Sequence, residues 1–183
     1  MIVITDEHLR HFSPAQILGL RSSSQLTLCD VDANYVPEAF KQLRKLMEDG
    51  FSEHMQQGDV LGSPEAVKGF LRLRMEGLEH EEFHALWLNT ANRLICADML
   101  FRGTLSQTSV YPREIVKRSM IVNSNAVVFC HNHPSGTAIQ SRADELLTRT
   151  LKDVLSYVDV KVLDHLIVAP GHTPRSFAEC GLI

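Results

Sequence analysis

The stretch VVFCHNHPSGTAIQSRAD, Val127 to Asp144, sets His131 and His133 one residue apart and places Asp144 eleven residues after the second histidine. Imidazole nitrogen and carboxylate oxygen are both zinc donors, and a catalytic zinc site leaves its fourth tetrahedral position to water. Each piece alone has a plainer account. An H-x-H pair can simply decorate a polar strand end, and Ser141-x-x-Asp144 is a helix start with a capping serine and a first-turn acid. The combination in one loop, with Pro134-Ser135-Gly136 between, argues for a metal centre held by His131, His133 and Asp144.

The elements needed to position these groups are legible around them. Val127 to Cys130 reads as a short buried strand. Side chains alternate along a strand, so His131 and His133 point the same way and Asn132 points oppositely. Pro134 lacks the ladder donor and Gly136 permits a turn, so the strand stops there and the chain can fold back. A helix opening at Ser141 and running to about Tyr157, with Leu147, Leu151, Val154 and Leu155 facing in, then brings Asp144 towards the histidines.

Elsewhere, Phe40, Leu43, Leu46 and Met47 recur at helical spacing behind Pro37. The polar, Gly-containing segment 54–64 reads as a linker or hinge. Ser63-Pro64 reads as N-cap and first residue of a helix to about Leu78, with Val67, Phe70, Leu71, Met75 and Leu78 inward. EFHALWLN (82–89) and LICADMLF (94–101) read as a hairpin turning at Thr90-Ala91-Asn92. TLSQTSVY (104–111) could extend the sheet, Pro112 opens a helix to about Asn123, and VKVLDHLIVA (160–169) is a further strand. Interleaved strands and helices around one apolar sheet predict an α/β (α+β) fold. Two regions are expected, a helical one over residues 1–60 and a main domain over 61–183.

The 183 residues, 44% of them hydrophobic, suffice for one substantial core. No apolar run reaches the roughly 18 residues of a membrane span, and the N-terminus is acidic where a secretory signal is basic. A cytoplasmic protein with no membrane association is therefore expected. Cys29, Cys96, Cys130 and Cys180 lack any C-x-x-C spacing and read as free thiols. The net charge of −4 resides entirely in residues 1–60, while residues 61–183 are balanced. A phosphate-gripping protein normally shows a basic excess. Here only a local face of Arg113, Lys117 and Arg118 is available, so any DNA association should be weak.

HNHPSGTAIQSRAD fills every fixed position of H-x-H-P-(six residues)-S-x-x-D and so resembles the JAMM motif of the JAB/MPN metalloenzymes. LNTANRLI, FRGTL, VYPREIVKRS, HNHPSG, SRAD and VKVLDHLIV stand in the order of the RadC-type branch, a resemblance covering about residues 63–183. It implies a cytidine-deaminase-like mixed sheet flanked by helices and a Zn²⁺ held by His131, His133 and Asp144. It also implies a glutamate at the start of the first core strand acting as general base towards zinc-bound water. HEEFHALWL offers Glu81 in that register, sharing a strand face with Phe83 and Ala85, while Glu82 shares the other with His84; Glu81 is chosen. In such enzymes a serine at the position of Ser141 donates to the oxyanion of a tetrahedral intermediate, and helix capping is its competing role. Asp164-His165 also fits the family, as metal-supporting or structural residues, whereas His172 on its PGHTP loop reads as solvent-exposed. Two departures stand out. Residues 1–60 lack the G-x-G of a helix-hairpin-helix DNA-binding region, and Gln140 replaces a proline common among relatives.

Three functions follow from this resemblance. The first is a zinc metallohydrolase of JAMM peptidase or isopeptidase type, acting on a peptide or protein. The second is a RadC-like accessory of DNA repair or mobile-element maintenance, its zinc domain structural or acting on DNA. The third is a silent binding module, against which the complete ligand set argues. The first is preferred.

Overall fold

The structure, a computed structural model, describes residues 38–103 and 110–183. Residues 1–37 of the helical region expected over 1–60, and most of the possible strand at 104–111, lie outside the described residues. The chain divides into two compact units, Met1–Met47 and Glu48–Ile183, and the second holds the sheet and the candidate site.

Four helices are described: α1 (Glu38–Gln57), α2 (Pro64–Met75), α3 (Pro112–Val122) and α4 (Arg142–Ser156). The strands are β1 (Glu82–Leu88), β2 (Leu94–Arg102), β3 (Ala126–Asn132), β4 (Lys161–Val168) and the two-residue β5 (Arg175–Ser176). They form one mixed sheet in the order β2-β1-β3-β4-β5. β1 runs antiparallel to both β2 and β3, β3 and β4 are parallel, and β5 is antiparallel to β4. The parallel pair requires a crossover, and α4 supplies it. The β1–β2 hairpin turns through Asn92 at φ 53°, a left-handed position that asparagine tolerates better than most residues.

Alternation along the strands gives the sheet two apolar faces. On one, Met55 of α1 and Val67, Phe70 and Leu71 of α2 pack on Leu86, Val128 and Cys130. On the other, Ile115 of α3 and Leu151 and Leu155 of α4 pack on Ala85, Trp87, Val127 and Phe129. β1 and β3 are covered on both sides, which is why they read as continuous apolar runs. Close approach of α2 to Phe51 depends on Gly69, where a Cβ would lie 2.8 Å from Phe51 Cζ.

Two local expectations differ from what is observed. The segment 54–64 is no free linker: α1 runs to Gln57, a 3₁₀ turn covers Val60–Gly62, and Met55 and Val60 are buried in the core. Its polar residues face outward while two apolar ones anchor it, a division that composition alone does not reveal. Ser63 stands at the N-cap of α2 but makes no side-chain cap bond. Its Oγ lies 3.2 Å from His54 Nε2 instead.

Candidate metal centre

His131 ends the apolar run of β3, on the face that α3 and α4 cover, and is 7% exposed. His133 follows two residues later, where the chain leaves the sheet. The return turn passes through Gly136 at φ +83°, a conformation L side chains rarely adopt. It closes with the Gly136 amide donating to the His133 carbonyl. α4 then begins with a capping box. The Asp144 amide donates to Ser141 Oγ at 3.1 Å, and the Ser141 amide donates to Asp144 Oδ2 at 2.7 Å. The cap therefore orients the carboxylate as well as starting the helix.

The three groups converge. His131 Nε2 lies 2.9 Å from His133 Nε2 and 3.5 Å from Asp144 Oδ1, and His133 Nε2 lies 3.7 Å from Asp144 Oδ2. Donors held about 2.0–2.2 Å from one tetrahedral ion sit about 3.3–3.6 Å from one another, so the spacing suits a small cation. The donor chemistry suits it too. His133 Nδ1 lies 2.7 Å from the Thr137 carbonyl, which can only accept, so the ring proton is on Nδ1 and Nε2 keeps its lone pair. The site occupies the C-terminal end of β3 and the first turn of α4, the usual place for ligands in sheets of this type.

Burial pushes the His131 imidazole down to about 4 from 6.5, with Asp144 opposing the shift and His133 adding to it. Burial likewise holds His165 well below the ordinary imidazole range, and His84 is lowered for the same reason. The sign of the linkage follows. Above about pH 6.5 these rings are neutral both folded and unfolded; below it the unfolded chain takes up protons that the fold refuses. Metal-free protein is thus expected to lose stability as pH falls from about 6.5 towards about 4. Urea unfolding at pH 7 and pH 5 checks this, and equal stability at the two would contradict it.

Of the two adjacent glutamates, Glu82 is engaged on the far face of the sheet. Its oxygens lie 2.7 Å from His80 Nε2 and 2.8 Å from His84 Nε2. Burial raises its pKa, but the bonds from His80 and His84 outweigh that and keep it below the ordinary carboxylate value. Phe83 pairs with His131 in the β1–β3 register. Glu81 directly precedes β1, and its carbonyl accepts from the Gly103 amide at 2.8 Å.

One residue that the motif reading passed over is Asn132, between the two histidines and 2% exposed. Its Oδ1 accepts from the Glu82 amide at 2.8 Å and its Nδ2 donates to the His80 carbonyl at 2.9 Å. It thereby grips the backbone on both sides of Glu81. A buried asparagine at an alternate strand position was the available signal. Asn132→Leu leaves two backbone groups unpaired and should cost about 2–4 kcal/mol, readable by urea denaturation; a loss under about 1 kcal/mol would argue against the clamp.

Asp164 and His165 part company. Asp164 accepts from Ser176 Oγ at 2.6 Å and from the Ala178 amide at 2.9 Å, pinning the C-terminal segment. His165 is fully buried on the metal side, its Nε2 2.8 Å from His131 Nδ1. His172 is exposed, as expected.

Residues 61–182 match the model of the RadC-like JAB domain. The chain belongs to that family. Its RadC-like JAB domain is accompanied by similarity to UPF0758 proteins over most of the chain. The one from Nitrosospira multiformis is 48% identical over 170 residues, covering 91% of this chain and 75% of the relative. That from Aromatoleum aromaticum is 54% identical over 147 residues, covering 79% and 65% respectively. A third, from Nitrosomonas eutropha, is 49% identical over 150 residues, covering 80% and 66%. The chain thus spans about two thirds to three quarters of the length of these relatives. Within the RadC-like JAB domain, two of the three residues of the basic face expected at Arg113, Lys117 and Arg118 have acidic neighbours, Arg113 in an exposed pair. Arg118 forms a two-pronged pair with Asp98, and Arg113 lies 3.2 Å from Glu114. No described helix is long and apolar enough to cross a membrane.

Proposed function

We propose that the chain is a zinc-dependent hydrolase of JAMM peptidase or isopeptidase type, acting on a peptide or protein carbonyl. The observation that carries this reading is the convergence of His131, His133 and Asp144 within 4.8 Å of one another. The membership of the domain in the JAB family supports it.

His131 and His133 would hold the ion through their Nε2 atoms and Asp144 through its carboxylate. Bound there, zinc would supply Lewis acidity and lower the pKa of water from 15.7 to about 7. Glu81 is the general base in this reading: its carboxylate, just before β1, would accept a proton from the attacking water and return it to the leaving amine. Ser141 is assigned both of its candidate roles. Capping uses its oxygen only as an acceptor, and a hydroxyl also carries one donor. That proton is available to the developing oxyanion of the substrate. Asn132 and Glu82 keep the β1 start in register beneath these groups.

DNA is assigned at most a weak association, since the charge of residues 61–183 is balanced and Arg118 is engaged. The test is side-by-side assay of zinc-loaded protein on peptide, isopeptide and nucleic-acid substrates. Chelator-sensitive cleavage of an amide bond supports the proposal. Cleavage of nucleic acid alone, or salt-resistant submicromolar DNA binding without amide hydrolysis, would overturn it.

A further inference from the structure

We infer that His165 and Thr148 are positioning residues, a buried relay that fixes which nitrogen of His131 is free for the metal. The inference rests on the zinc-site reading above. His131 offers Nε2 to the cluster, so its ring proton must sit on Nδ1. That nitrogen lies 2.8 Å from His165 Nε2, which must then accept. His165 is fully buried among the rings of Phe83, Phe129 and Phe177, with centroids 5.5, 6.3 and 4.8 Å away. Such surroundings favour a neutral imidazole. A neutral ring that accepts on Nε2 carries its own proton on Nδ1.

His165 Nδ1 faces Thr148 Oγ1 at 2.6 Å, so the threonine oxygen accepts. The single hydroxyl proton of Thr148 goes to the Asp144 carbonyl, also at 2.6 Å. Each donor along the path has one acceptor and no charge is created. The relay begins at one proposed ligand, His131, and ends on the backbone of another, Asp144. Thr148 lies one helical turn after Asp144 on α4, and it is 3% exposed. An isolated buried threonine would need only the helix carbonyl as partner. Its second contact, to a histidine on β4, ties the α4 ligand to the β3 ligand across the crossover.

The prediction concerns zinc affinity and proton position rather than activity. Thr148→Val keeps the shape but removes the acceptor, and should weaken zinc binding in chelator competition by about 10–100-fold, the usual cost of losing an outer partner. Thr148→Ser restores the hydroxyl and should return affinity to within about threefold of the parent. Long-range ¹H–¹⁵N NMR of the zinc-loaded parent should show the protons of both His131 and His165 on Nδ1, a readout that needs no variant. The relay is overturned by a Thr148→Val affinity within about twofold of the parent, or by a His165 proton on Nε2. A parent that binds no zinc at His131, His133 and Asp144 overturns the zinc reading and the relay together. Zinc binding with unaltered Thr148→Val affinity overturns the relay alone.

Discussion

Glu81→Gln should retain its zinc and lose hydrolysis by about 10²–10⁴-fold, the scale of a lost general acid/base. The substitution preserves size and one acceptor oxygen but removes the group that accepts a proton. None of the proposed metal donors is touched. The neighbouring Glu82→Gln is the natural comparison. Glu82 binds His80 and His84 on the other face of β1, so its loss should lower stability and leave the chemical step nearly intact. The decisive comparison is kcat for both variants at equal zinc content. A Glu82→Gln protein that folds, holds zinc and is inactive, beside an active Glu81→Gln protein, would show that the register argument is wrong.

The second large effect is expected at Asp144, which has two functions at once. Its carboxylate closes the capping box with Ser141 and stands beside both histidines. Asp144→Asn keeps an oxygen for the Ser141 amide, so α4 should start normally and the fold should lose little. The negative charge is gone, however, and zinc affinity should fall by more than the 10–100-fold typical of outer-partner losses, on the order of 10³-fold. Asp144→Ala should lose the metal as completely and give up about 1 kcal/mol or more of helix-start stability besides. Thermal unfolding of metal-free protein reads the fold contribution of Asp144, cap and histidine contacts together, apart from metal binding. If Asp144→Asn bound zinc like the parent, the carboxylate would be a cap and nothing more.

Much of this arrangement was legible because its physics is local. The strand ending at His131 and His133, the turn at Gly136 and the helix opening at Ser141 each follow from neighbours in the chain. Alternation on β1 set Glu82 on the face of His84, and there it binds His84 Nε2. What escaped was long-range. That Asn132 would grip the backbone fifty residues away, around Glu81, depends on the β1–β3 pairing. The contact of His165 with His131 and Thr148 depends on β4 lying parallel beside β3 with α4 above both. Nothing near Asp164-His165 in the chain says that one side chain serves the C-terminal segment and the other the metal side. The segment 54–64 misled in a simpler way. Its glycines and glutamines read as a hinge, while the burial of Met55 and Val60 is set by partners on α2 and the sheet.

The central claim is a zinc ion on His131, His133 and Asp144, and zinc stoichiometry tests it most directly. The measurement is elemental analysis of the full chain purified without chelator, beside a His131→Ala/His133→Ala variant checked for retained fold. The account predicts about one zinc per chain in the parent, as expected of a three-ligand site, and essentially none in the variant. A parent free of zinc, or a variant with its zinc undiminished, would contradict it.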